Sequence, residues 1–229
     1  TRQPDAEIAV IVDPASLRYV DDESDDNFTR KLIQPLLRCC NRLGTPYRVY
    51  TLSDLPRIAE LNRFKLVILP ALYEVTPEKR SLLESYLFRD GRTILWLHGA
   101  ALSNGKQWSE TAMRELTGFS FGVPGEPVPR NGWLSAYCPQ FDTLTPETLR
   151  EFARNAGVHL YCDMPIPVWA AEDLLMVQSG GPGGCEIRLP RHAAAITELF
   201  DGNIQLEKTD RIHCEFAGPQ TLLFQLEYR

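Results

Sequence analysis

Four short runs constrain this chain most: EIAVIVD (7–13), YRVYTL (47–52), KLVILP (65–70) and TILWL (93–97). Three are nearly continuous in apolar residues, without the alternation of a strand that has one wet face. They read as parallel strands buried on both sides. Helical segments separate them. NFTRKLIQPLLRCCNRLG (27–44) sets Phe28, Leu32, Leu36, Cys40 and Leu43 on one face, with Gly44 as its stop. Pro35 inside that pattern predicts a kink or a restart. DLPRIAELNRF reads as a short helix. In VTPEKRSLLESYLFRDG, Thr76 is an N-cap, Pro77 takes the first helical position and Glu78 meets the positive helix end. This rhythm predicts an α/β fold, an open parallel sheet with helices on both faces.

A second capped helix follows (SETAMRELTG, 109–118), then a Pro/Gly-rich loop or lid, FGVPGEPVPRNG (121–132). LTPETLREFARNAGVHLY repeats the Thr-Pro-Glu start, with Leu149, Phe152, Ala153 and Ala156 inward and a strand predicted from Val158. The pattern then changes to short strand-like runs (LLMVQ, CEIRLP, AAITELF, IQLEK, RIHCEFA, TLLFQLEY) separated by SGGPGG, DGN and GPQ. Such spacing predicts a small antiparallel β domain. The expected division is 1–167 and 168–229, the two parts packed directly together.

Within 229 residues, no run approaches the roughly 18 to 20 apolar residues of a membrane span. The first residues lack a secretory-signal pattern, but the chain begins with Thr, so the compartment stays open, with the cytoplasm as the nearer expectation. A net charge of −6 argues against a nucleic-acid surface. The acidic cluster DDESDD (21–26) reads as a solvated loop and lacks the glycine and oxygen spacing of a calcium loop. Cys39, Cys40, Cys138, Cys162, Cys185 and Cys214 include no C-x-x-C pair and read mostly as buried free thiols. No metal or cofactor is implied: no G-x-G-x-x-G follows the first strand, and SGGPGG links two β runs.

Ligands on such sheets sit beyond the carboxyl ends of the strands. Those ends carry Asp13, Ser53 with Asp54, Tyr73 with Glu74, and His98 with Gly99. The stretch TILWLHGAALSNG (93–105) resembles a strand-to-helix elbow that lifts a nucleophile clear of the sheet, but its tip carries Ala100 and Ala101. His98 and Glu74 could supply base and orienting acid, yet no Cys or Ser stands between them. Ser103 lies outside the bend and lacks the G-x-S-x-G frame. His98 and His159 read first as structural histidines. No catalytic residue is assigned.

With those stretches in view, the chain resembles a known module. IAVIVDPASLRYV, NRLGTPYRVYTLSDLP, FKLVILPALYEVTPEKRSLLESYLFRDGRTILWLHGAA, LTGF and NAGVHLYCDMPIPVWAAEDLLMVQS are similar to the class I glutamine amidotransferase-like domain behind the catalytic barrel of many bacterial β-galactosidase-type glycoside hydrolases. That domain is called the trimerisation domain. The tail, from IRLPRHAAAITELFDG onward, is similar to the small β domain that closes such chains. The resemblance implies a flavodoxin-like, amidotransferase-like scaffold that has lost its nucleophile. It also implies that the hydrolytic carboxylates lie in an upstream barrel of about 250 residues.

The first expectation is therefore a non-catalytic accessory or oligomerisation domain. Its partners would be an upstream barrel of the same polypeptide and further copies of itself. Trp108, Trp133, Tyr137 and Trp169 are candidate interface residues, each also readable as a local core or loop anchor. The alternative is a carbohydrate-binding module over Asp13, Tyr73, His98 and Asn104. A stand-alone hydrolase or amidotransferase with an unrecognised nucleophile comes last.

Overall fold

The computed structural model describes residues 5–19, 29–140, 144–202 and 204–228; the acidic cluster 21–26 and Phe28 lie outside them. The first sheet contains β1 (Ile8–Val12), β2 (Tyr47–Thr51), β3 (Leu66–Glu74), β4 (Arg92–Ser103), β5 (Val128–Arg130) and β6 (Trp133–Cys138). Their order across it is β2-β1-β3-β4-β6-β5, parallel throughout except for β5, which returns antiparallel along β6. The apolar runs explain the centre: β1, β3 and β4 are buried along almost their whole length. The chain winds outward from β1 to β2 and the other way from β3 to β4, so right-handed crossovers put their connections on opposite faces.

The helices are α1 (Gln34–Cys40), α2 (Pro77–Tyr86), α3 (Glu110–Thr117) and α4 (Pro146–Asn155). Thr76, Ser109 and Thr145 each accept a backbone N–H at the start of α2, α3 and α4. Pro35 sits in the first turn of α1, and a π-helical turn (Thr29–Ile33) precedes it. The missing proline N–H interrupts the ladder there, so the predicted long helix restarts. The short helix expected from Asp54 is replaced by two 3₁₀ turns, Leu52–Arg57 and Leu61–Arg63. Pro56 cannot extend the first, and a Thr51–Asp54 capping box closes its start.

Two further expectations change, and one strand lies where none was expected. The segment 121–132 is not wholly loop, because it includes β5. β6 went unpredicted. The strand predicted from Val158 does not form: Tyr161 and Cys162 both donate their N–H groups to the Gly44 carbonyl, and a single bridge joins Cys162 to Ile187.

The second sheet is antiparallel: β7 (Val168–Ala171), β8 (Leu174–Gly180), β9 (Gly183–Glu198), β10 (Gln205–Phe216) and β11 (Pro219–Glu227), in the order β10-β9-β11-β8-β7. Four predicted short runs merge into β9 and β10. A bulge absorbs the break, since Thr209 pairs with Ala193 but Arg211 pairs with Arg188. Each sheet has its own apolar cluster, and the second begins at Tyr161, Cys162 and Ile166. The two parts are fastened at the N-terminal end of β1. Asp5 N donates to Ala170 O (3.0 Å) and Glu172 N to Asp5 Oδ2 (3.0 Å). No helix among the described residues is long and apolar enough to cross a membrane.

Candidate functional site

The order β2-β1-β3 makes the gap between β1 and β3 the topological switch point, where such sheets receive ligands. Here the chain fills that gap with its own side chains. Lys79, in the first turn of α2, places Nζ 2.7 Å from Asp13 Oδ2 after β1 and 2.7 Å from Glu74 Oε1 at the end of β3. Tyr19 donates to Glu74 Oε2 at 2.7 Å, and its hydroxyl lies 3.3 Å from Ser103 Oγ. Ser16 donates to Asp13 Oδ2 at 2.7 Å and accepts the Glu74 N–H at 3.1 Å. The Lys79 hydrogen bond, then that of Tyr19, holds the Glu74 carboxyl below its ordinary pKa. Burial opposes the charge on Lys79, but its hydrogen bonds to Asp13 and Glu74 prevail and raise its pKa.

The expected sharp elbow in residues 98–101 is not a strand-to-helix turn. β4 runs on to Ser103 and carries two one-residue bulges against β3: Pro70 pairs with Leu97, Leu72 with Ala100, and Glu74 with Ser103. Pro70, which has no ladder N–H to give, stands where the first bulge begins. Ala71, His98 and Ala101 take left-handed φ values of 46°, 67° and 52°. The residue held in the elbow-like conformation is thus His98 itself. Such strain persists where surrounding contacts over-determine it. His98 Nδ1 is 2.7 Å from the Tyr73 hydroxyl, and its carbonyl accepts the Tyr137 hydroxyl at 2.6 Å. A Cβ on Gly99 would come within 2.9 Å of the Tyr73 ring, so only glycine fits beside the pair. Burial pushes the His98 imidazole below its ordinary pKa.

The structure therefore joins Tyr73 to His98 and puts Asp13 in the separate lysine network. The Glu74 carboxylate is committed to Lys79 and Tyr19, and His98 Nδ1 to Tyr73, so no base–acid relay is assembled between them. Ala100 and Ala101 are buried, and Ser103 Oγ accepts the Gly105 N–H at 3.1 Å. Asn104 Oδ1 accepts the Lys106 and Gln107 N–H groups, both at 3.0 Å, and shapes a hairpin turn. That hairpin presents Trp108, which is bridged to Ser103, 60% exposed and edge-on to Tyr19 with centroids 5.3 Å apart. Beside it lies a groove of about 480 Å³ lined by Tyr19, Tyr73, Leu102, Trp108, Glu110 and Phe121.

Of the other aromatic candidates, Trp133 is half-buried and stacks on Phe88 at 4.2 Å, Tyr137 is buried, and Trp169 is exposed. His159 Nε2 is 2.8 Å from the Arg188 carbonyl, at the junction of the two parts. A larger cleft of about 1020 Å³ lies there, its walls tied by Arg63–Asp5 and Lys65–Glu7 ion pairs, each at 2.7 Å. Among the described residues, no group of three His, Cys, Asp or Glu side chains is arranged to hold a metal ion. Sequence reasoning missed Lys79, Tyr19 and Phe121. Lys79 had one local signal: a cation in the first helical turn, where the helix dipole disfavours it.

No model of a protein family matches the sequence, and no curated protein matches it. Solved structures share its fold. A beta-galactosidase from Bacillus circulans sp. alkalophilus superposes with a TM-score of 0.67 at 13% identity, over 98% of this chain and 42% of that one. A catalytic mutant of a GH42 beta-galactosidase from G. stearothermophilus gives 0.63 at 14%, over 99% and 41%. A beta-galactosidase from the haloarchaeon Halorubrum lacusprofundi gives 0.63 at 15%, over 96% and 39%. The chain spans about two fifths of the length of these proteins.

Proposed function

We propose that this chain is a non-catalytic accessory domain of a glycoside hydrolase of the β-galactosidase type, an amidotransferase-like α/β unit (1–167) carrying a small β domain (168–229). Its partners are a catalytic barrel in the same polypeptide and further copies of itself, as in the trimerisation domains it resembles. The observation that carries this reading is the coverage: nearly all of this chain superposes on two fifths of several β-galactosidases. The saturated switch crevice and the alanines beside His98 support the absence of chemistry. Incubating the chain with aryl glycosides tests it: no release of the aryl group is expected, and sustained turnover overturns it.

One observation favours a second role at the same end of the sheet. The groove beside Trp108 combines an exposed indole with Tyr19, Phe121 and Glu110 along its lining. Flat aromatic faces with nearby oxygens suit a pyranose, whose apolar face stacks while its hydroxyls bond outward. Isothermal titration with galactose and lactose decides: heat lost in Trp108→Ala supports the role, and no heat at millimolar sugar ends it.

A further inference from the structure

Three of the six cysteines meet in the second sheet. Cys185 on β9 and Cys214 on β10 are direct antiparallel partners, and they are 9% and 1% exposed. Directly opposed residues have Cα atoms about 4.5–5.5 Å apart, inside the roughly 4.4–6.8 Å span of disulfides. Cys162 is also buried, and it bridges to Ile187, two residues along β9 from Cys185. The Cys185 thiol interacts electrostatically with those of both Cys162 and Cys214. Cys162 is thus a diagonal neighbour of Cys185, and such pairs stand about 7–8 Å apart, beyond disulfide reach. Of the two sulfur contacts, the backbone spacing fits a bond only across β9 and β10.

We propose that Cys185 and Cys214 are an oxidisable pair that closes to a disulfide under a disulfide oxidant, with Cys162 as a bystander thiol. The Cys185 thiolate attacks one sulfur of the oxidant R–S–S–R, whose S–S bond breaks and releases one RSH, the proton coming from the cysteine. The Cys214 thiolate then attacks Cys185 Sγ in the mixed disulfide and expels the second RSH. The pair loses two electrons and two protons, and the oxidant gains both. Cys185, the less buried of the two, is the entry point. β10 is the outer strand of its sheet, so local opening there exposes the pair without unfolding the remainder. The Cys162 thiol lowers the Cys185 pKa, but the Cys214 thiol and burial outweigh it and push it up to about 12. Closure speeds up as pH rises, because the thiolate is the attacking form.

The test is oxidised glutathione on the whole chain, followed by thiol counting in denaturant and non-reducing peptide mapping. Two of the six thiols should disappear, a 185–214 linked peptide should form, and the melting temperature should rise, reversibly with dithiothreitol. Cys162→Ser should keep the linkage and Cys214→Ser should lose it. Mapping the untouched chain decides the matter even if a variant fails to fold. Six persistent thiols, or a linkage from Cys162, would overturn the proposal.

Discussion

Replacing Lys79 with Met tests whether the switch crevice is closed by charge. Lys79 is 16% exposed at its side chain and Asp13 only 7%, so water screens this cluster weakly. With an effective dielectric near 20, one pair with charges about 4 Å apart gains roughly 4 kcal/mol, and two gain about 8 kcal/mol. Desolvating three ions costs several kcal/mol each, so the intact network is close to neutral against an apolar filling. Removing only the cation is different, because two carboxylates then remain buried together; the expected loss is about 3–5 kcal/mol. Glu74 has a depressed folded pKa, so its contribution is present above the unfolded carboxyl value and fades as pH falls through the folded one. Lys79 has a raised pKa, so its share persists until strongly alkaline pH. The gap between wild type and Lys79→Met should be full at pH 7 and should close below about pH 4. Urea unfolding at both pH values measures it, and adding Glu74→Gln to Lys79→Met should restore part of the loss. A gap under about 1 kcal/mol at pH 7, or one unchanged by acid, refutes the reasoning.

Two further perturbations probe the frame around the site. Arg92, 2% exposed, donates to four carbonyls, those of Phe64 (2.8 Å), Leu61 (2.9 Å), Tyr86 and Leu87 (3.0 Å each). Arg92→Met should cost about 4 kcal/mol, since buried acceptors left unpaired cost about 1–3 kcal/mol each; a urea midpoint within error of wild type would contradict this. Gly44 has φ +73°, and a Cβ there would stand 2.3 Å from the Cys162 carbonyl oxygen. Gly44→Ala should therefore lose about 2–5 kcal/mol from left-handed strain and broken junction hydrogen bonds. An unchanged melting temperature would show that the junction is softer than its geometry implies.

The centre of the fold was legible because its signals are local. Continuous apolar runs mark β1, β3 and β4, and the Thr-Pro-Glu starts mark α2 and α4. β6 was illegible because Ser135 interrupts its apolar pattern. That hydroxyl is buried only because it accepts the Trp96 Nε1–H at 2.9 Å and donates to the Thr117 carbonyl at 2.6 Å. β9 was split in reading because Arg191 and His192 interrupt the apolar pattern between CEIRLP and AAITELF, whereas the bulge opposite Asp210 absorbs them. At the site, Asp13, Tyr73 and His98 were reachable from strand ends alone. Lys79 was not, because its partner Asp13 lies 66 residues away in sequence.

The second sheet is tied down where β1 begins, and the His98 and Trp108 face lies where the strands finish. β1 is five residues long, which separates the two by about 17 Å of extended chain. Substitutions at one end do not touch the hydrogen bonds of the other, so attachment and surface are separable by mutation. The strand-end surface can therefore change by substitution while the hydrogen bonds that hold the second sheet stay in place.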